Sequence, residues 1–387
     1  MAGDVGFREE VVIAPAGVEG VQAAAAQLVD EDSGRVSHQY GPRVLVVEEV
    51  AEAAEAVAAQ VPGGMVTAAV ADVGDSLVVD LDEVGKLGLE AFALRSSEGY
   101  VGAKAERPLA GESWDNDEAS TPDYHDVEGD AAAPALAGLP TSARLTDSVA
   151  VGIIIVEGPT AALRFSDADR IKVVAEVQNG LSWLGAQNSP EGVKFVYDIR
   201  IVTLATEPDP ASLSLEALWR DPTMRKLGYG TGMAAVRRYV QQLRVDKGTK
   251  WAYCAFFTKY PVAHFAYASI GGPRLVMDFA NDGWGPDNID RVFAHETGHI
   301  FGAPDEYASA NCNCGGSWGH FNRPNGNCAN CASGGGVDCL MKANSWAMCD
   351  WTPWHLGFPQ GVPLPLAAGT YTVQQKSSNR FLDAHQN

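Results

Sequence analysis

The sequence predicts an α+β fold: a twisted mixed sheet with long helices, preceded by a small α/β sandwich. Three observations carry this. Strand-sized apolar runs over residues 149–156, 193–205 and 251–257 are separated by stretches of helical periodicity over 166–184 and 231–243. A further helical stretch near residues 289–300 carries two histidines one turn apart. The length of 387 residues is enough for a large core and two or three units.

The first unit spans residues 1–110 and contains no cysteine. Residues 43–49 alternate into a strand, 51–60 are alanine-rich and helical, 65–69 and 76–79 are short strands, and 87–94 form another helix. Helices on one side of an antiparallel sheet result. No paired catalytic groups and no phosphate loop occur in this unit, so it is expected to assist folding, to inhibit the larger unit after it, or to bind a partner.

Residues 111–130 hold eight acidic side chains and no lysine or arginine, and proline, glycine and alanine continue the segment through residue 140. Such a composition reads as an exposed linker over 111–141. Asp115, Asp117, Asp123 and His125 are the groups in it that a metal would attract. From residue 142 to 360 the pattern is that of the mixed-sheet unit. Its first long helix places Ile171, Val174, Val177 and Leu181 on related faces, another helix covers 213–219, and strands cover 265–270 and 275–279.

The chemistry sits in His295-Glu296-Thr297-Gly298-His299. Asp287 is positioned to cap the helix, and Ile289, Val292, Phe293 and Ile300 give it apolar cover. Both imidazoles project from one face and reach one metal ion, while Glu296, offset by one residue, lies beside a water bound to that ion. Gly302 permits a left-handed reversal that Pro304 enforces, bringing Asp305 back as a third ligand. Glu306 competes for that role; otherwise it turns toward a structural cation or a hydrogen bond beside Tyr307.

The run HETGHIFGAPD resembles the extended zinc signature of the metzincin metalloendopeptidases, with Asp305 where most members carry a third histidine. The resemblance covers about residues 145–360 and implies a zincin-like domain. It implies one catalytic Zn2+ held by His295, His299 and Asp305, with Glu296 as general base. It also implies a methionine turn beneath the metal, best matched by Met341 and less well by Met348; Ala343 stands where some members have a tyrosine. In the family likeness a strand before the active helix borders the cleft, and residues 266–270 are the candidate edge for extended substrate. The implied activity is hydrolysis of peptide bonds in proteins. A different class stays open: a catalytically silent, zinc-stabilised binding protein.

Six cysteines crowd behind this motif: Cys312, Cys314, Cys328, Cys331, Cys339 and Cys349. They read as up to three disulfides stapling a loop poor in apolar residues, or as a second metal site built from the first four. Trp346, Trp351, Trp354 and Phe358 are expected to form a compact core of a smaller subdomain. The tail over 369–387 resembles the opening of a ricin-type β-trefoil, too short to form that domain, so any carbohydrate contact would need a missing C-terminal part. With 28 basic and 49 acidic residues, a formal charge of -21 argues against a nucleic-acid partner. No apolar run reaches membrane-spanning length, so no membrane partner is expected. The cysteines favour an extracellular location, but the acidic N-terminus is unlike a signal peptide, which leaves the cytoplasm open.

Overall fold

The structure is a computed structural model that describes residues 8–14, 34–49, 65–67, 78, 80–115, 140–189, 191–205, 215–262, 264–358, 373–374 and 381–382. The helix expected over 51–60, most of the strand expected over 76–79, and Asp117, Asp123 and His125 lie outside these residues.

The central strand β5 (Asp147–Glu157) is an apolar run buried along nearly its whole length, as a strand covered on both faces must be. It pairs in parallel with β6 (Val193–Thr203) and with β7 (Trp251–Thr258). Beyond β7 come β9 (Arg274–Asp278), parallel, and β8 (Ala266–Ala268), antiparallel and at the edge. On the other side, β6 pairs in parallel with β2 (Gly34–Tyr40), which continues antiparallel into β3 (Val44–Glu49), β1 (Arg8–Ile13) and β4 (Met65–Thr67). These nine strands therefore form one mixed sheet, and among the described residues Val373–Gln374 and Phe381–Leu382 pair as a separate two-stranded one.

This continuity differs from the expected separate N-terminal sandwich. The link is polar and was invisible to hydrophobic periodicity. His38, fully buried on β2, meets the Tyr197 hydroxyl on β6 at 2.7 Å and Ser182 Oγ at 2.8 Å, and Tyr40 stacks on Tyr197 with ring centroids 4.3 Å apart.

Successive residues of β5 face opposite layers. Val149, Val151, Ile153 and Ile155 belong to one core with helices α1 (Glu83–Arg95), α3 (Asp167–Ala186) and α6 (Ile289–Ile300). Ala150, Ile154 and Val156 belong to the other, with α4 (Leu215–Lys226) and α5 (Gly232–Lys247). The long helix α3 begins at a reciprocal capping box between Ser166 and Asp169. Short helices α2 (Glu98–Ala105) and α7 (Thr352–Leu356) complete the described set.

The expected linker also departs from an exposed tether at its start. Gly111 N–H donates to Asn344 O at 2.8 Å, Trp114 N–H to Lys342 O at 3.2 Å, and Asn344 N–H to Glu112 O at 2.8 Å. Residues 111–114 are thereby laid against the segment just past Met341. Asp115 accepts the Ser309 N–H at 3.2 Å. Of the four aromatics expected in the C-terminal core, Phe358 is buried, while Trp346 and Trp351 pack partly buried against it.

Candidate metal centre

The helix α6 carries the site, and its start is fixed by buried charge rather than by the expected cap. Asp287 does not cap it: its carboxylate is drawn to Lys172 Nζ at 2.6 Å. The free N–H of Asp290 instead donates to Glu176 Oε2 on α3 at 3.0 Å. Asp290 is itself fully buried and held by both guanidinium nitrogens of Arg107, at 2.8 and 2.9 Å, and by Asn179 at 2.7 Å. Arg107 and Lys104, which reaches Glu176 at 2.5 Å, come from the chain before the expected linker.

The helix ends as the sequence pattern predicts. Gly302 adopts φ of 93°, and a side chain there would put its Cβ 2.8 Å from Gly319 Cα. Ala303 N–H donates to Gly298 O at 3.0 Å and Gly302 N–H to His299 O at 2.9 Å, the paired bonds of a helix-terminating left-handed turn. The reversal delivers the Ala303 carbonyl to His299 Nδ1, 2.7 Å away, and swings Asp305 over the helix face.

Three donor atoms converge there. His295 Nε2 and His299 Nε2 are 3.0 Å apart, and each is 3.2 Å from Asp305 Oδ1. Tetrahedral coordination with bonds of about 2.0–2.1 Å requires ligand separations of about 3.3 Å, so the triangle has the size of one face of such a site. The ring orientations are set from outside: Nδ1 of His295 donates to Leu340 O at 3.1 Å, and Nδ1 of His299 to the Ala303 carbonyl, which turns both Nε2 atoms inward.

Polar atoms left unsatisfied point to the same centre. Both Glu296 oxygens and Asp305 Oδ1 are buried without a hydrogen-bond donor among the described residues. Burial raises the Glu296 pKa, with the two imidazoles acting against that rise. For Asp305 burial also acts upward, but His299 and His295 overcome it and hold the carboxyl well below the usual carboxylate range. Reciprocally, burial disfavours the charged His299, yet Asp305 outweighs it and its pKa is pushed up to about 9. Two imidazole nitrogens and a carboxylate oxygen around one point are a donor set that fits a divalent metal.

Met341 is buried directly under this face. An added Cβ at Gly298 would lie 2.6 Å from Met341 Sδ, so the glycine between the histidines makes room for the thioether. Met348 is only partly buried at the margin of the same core. Glu306 is turned away from the triangle, accepting from Asn327 Nδ2 at 2.7 Å and from Thr352 Oγ1 at 3.2 Å.

Two contributors escaped the sequence pattern. Trp114 lies edge-on to His295, centroids 5.2 Å apart, and its indole N–H donates at 2.6 Å to the same Leu340 carbonyl that His295 uses. The Tyr253 hydroxyl, on β7, is 3.1 Å from Thr297 Oγ1. A lone tryptophan inside an acidic run was the available signal for the first; nothing in the sequence pattern marks the second.

Four of the clustered cysteines are paired as Cys312–Cys328 and Cys314–Cys331. Two of the up to three expected disulfides are thus present, and the alternative four-thiolate site is ruled out, since oxidised sulfurs cannot serve as thiolate ligands. Cys339 and Cys349 form no disulfide; their sulfurs face Thr352, and Cys349 also faces Glu306. No helix of the described residues is long and apolar enough to cross a membrane.

No protein-family model matches the chain, and no curated protein matches it. Among solved structures, metalloproteinase-II from Bacteroides fragilis aligns over 57% of this chain at 12% identity with a TM-score of 0.26, and the match spans 57% of that protein's own chain. At that level the likeness decides nothing about this chain. What it holds is a buried His-His-Asp triangle with a carboxylate beside it.

Proposed function

We propose that the chain is a zinc-dependent endopeptidase acting on proteins or peptides. The observation that carries this is the convergence of His295 Nε2, His299 Nε2 and Asp305 Oδ1 within 3.2 Å of one another, with the unsatisfied Glu296 carboxylate on the helix that carries both histidines. When bound, zinc supplies Lewis acidity, lowering the pKa of a water and polarising a carbonyl.

The protein's own residues do the rest. With their Nδ1 protons held by the Leu340 and Ala303 carbonyls, His295 and His299 turn Nε2 toward the ion, whose binding would displace the proton that Asp305 favours on His299. Glu296 takes the proton of the attacking water and returns it to the leaving amine nitrogen. Burial of Glu296 excludes competing solvent donors. Met341 packs under the histidines without coordinating. Extended substrate would add along the edge strand β8, which is paired on one side only. Two disulfides favour an oxidising, extracellular setting.

The test is Glu296→Gln in the zinc-loaded chain, assayed on an unfolded protein. Zinc content should be retained and turnover should fall by about 10²–10⁴. Near-normal cleavage would remove Glu296 from the mechanism. A zinc-loaded wild type that cleaves nothing would favour the silent binding-protein reading.

A further inference from the structure

We propose that Cys339, Cys349 and Glu306 form a second, buried zinc site, distinct from the His295–His299–Asp305 triangle. The three side chains are almost fully enclosed, and their donor atoms lie within 4.8 Å of one another. The Thr352 hydroxyl sits among them, 3.3 Å from each sulfur and 3.2 Å from Glu306 Oε1. Two sulfurs, a carboxylate oxygen and a hydroxyl thus line one small polar volume in the protein interior.

Backbone N–H groups point at both sulfurs. Cys349 N–H donates to Cys339 Sγ, and the N–H groups of Trp351 and Thr352 donate to Cys349 Sγ, each at 3.4 Å. Such donation favours thiolates once a cation offsets the burial and the Glu306 charge that otherwise keep the Cys339 thiol protonated. Glu306 adds a buried carboxylate that makes no ion pair with any lysine, arginine or histidine among the described residues. Its hydrogen-bond donors, Asn327, Thr352 and Cys349, are all neutral, and a cation would offset the cost of burying the charge. Soft thiolates with one hard oxygen select zinc over magnesium or calcium.

The surrounding chemistry argues against a third disulfide as the resting state. Four cysteines of the same segment are oxidised, yet this pair is open, with Cys349 donating its thiol proton to Glu306 Oε1 at 3.1 Å. Metal binding would release two protons, one from each thiol, and leave the sulfurs unoxidised. The ion would tie together three segments. Glu306 is the next residue after Asp305 and donates its N–H to Met341 O at 2.9 Å; Cys339 precedes Met341 by two residues; Cys349 leads into α7. This site stands independently of whether the first centre hydrolyses peptides.

Cobalt and zinc are the probes. The full chain, loaded with zinc and freed of excess metal, should hold two equivalents. Cobalt loading should produce a near-ultraviolet sulfur-to-metal charge-transfer band, which imidazole and carboxylate ligands do not give. The band should persist in a His295→Ala/His299→Ala variant and disappear in Cys339→Ser/Cys349→Ser, with zinc falling to one equivalent. One equivalent with the band in wild type supports this site and counts against the first centre. Absence of the band in cobalt-loaded wild type overturns the proposal, as does a Cys339–Cys349 disulfide found by peptide mapping of the metal-loaded chain. Both of those readings use the unaltered protein, so a variant that fails to fold leaves the test intact.

Discussion

Trp114 and His295 share one acceptor: the indole N–H and the imidazole Nδ1–H both donate to the carbonyl of Leu340, at 2.6 and 3.1 Å. A residue 181 positions from the histidine in sequence therefore helps fix the ring that presents Nε2 to the metal face. Trp114→Phe removes the indole donor while keeping most of the apolar bulk. Metal affinity should fall by about tenfold, the low end of the range for lost outer-shell contacts, with a stability loss of about 1 kcal/mol. Competitive zinc titration and urea unfolding measure both. Unchanged affinity would reduce Trp114 to a packing residue.

Asp305→Ala removes one corner of the triangle and leaves two imidazoles. Zinc affinity should drop sharply, and His299 should lose the carboxylate that raises its pKa, so that NMR titration of the metal-free variant shows it moving down from about 9. Zinc bound as tightly as in wild type would mean that another group supplies the third donor.

Glu216, on α4, binds Arg274 at 2.8 and 3.0 Å and Arg220 at 2.7 Å. Burial raises its pKa, but the two arginines more than reverse that, and the folded-state value lies below the ordinary one. A depressed carboxylate pKa stabilises the fold above the unfolded value of about 4.3 and ceases to do so as pH falls through the folded value. Glu216→Gln should cost about 3–5 kcal/mol at pH 7 because buried arginines lose their partner. The gap between wild type and variant should narrow as pH drops below about 4. Urea midpoints at pH 7 and 3 decide it; a constant gap would show that charge is not the source.

A chain beginning at Ser142 tests whether the N-terminal part restrains activity. The sheet predicts the opposite of release. Deletion strips β2 from β6 and removes Arg107 from the buried Asp290, so the shorter chain should bind less zinc and cleave more slowly. Near-ultraviolet circular dichroism and zinc content report this directly. A folded, zinc-replete, faster truncation would restore the inhibitory reading.

The helices and central strands were legible because their apolar spacing is strong. Ile171, Val174, Val177 and Leu181 announced α3, and the run from Val149 to Val156 reads as a core strand. The turn at Gly302 was legible for the same local reason. What could not be read was long-range and polar. Strand β2 has Ser37, His38 and Gln39 at its buried centre, a composition that looks like loop until Ser182 and Tyr197 are seen to satisfy the histidine. Asp287 looked like a cap because nothing local revealed Lys172, and the cysteine pairing depends on how a glycine-rich loop folds back, which spacing alone does not encode.

The parallel pairing of β2 with β6 also has a consequence during synthesis. Tyr197, which meets His38, leaves the ribosome 159 residues after it. At about 5–20 residues per second, β2 waits roughly 8–30 s for its partner strand. Through that interval β1 and β3 can pair with each other, but one edge of β2 offers unpaired backbone groups to any neighbouring chain. Its polar centre is then an advantage, because Ser37, His38 and Gln39 make a poor adhesive. The residues that concealed this strand from pattern reading would also make its open edge a weaker template for a neighbouring chain.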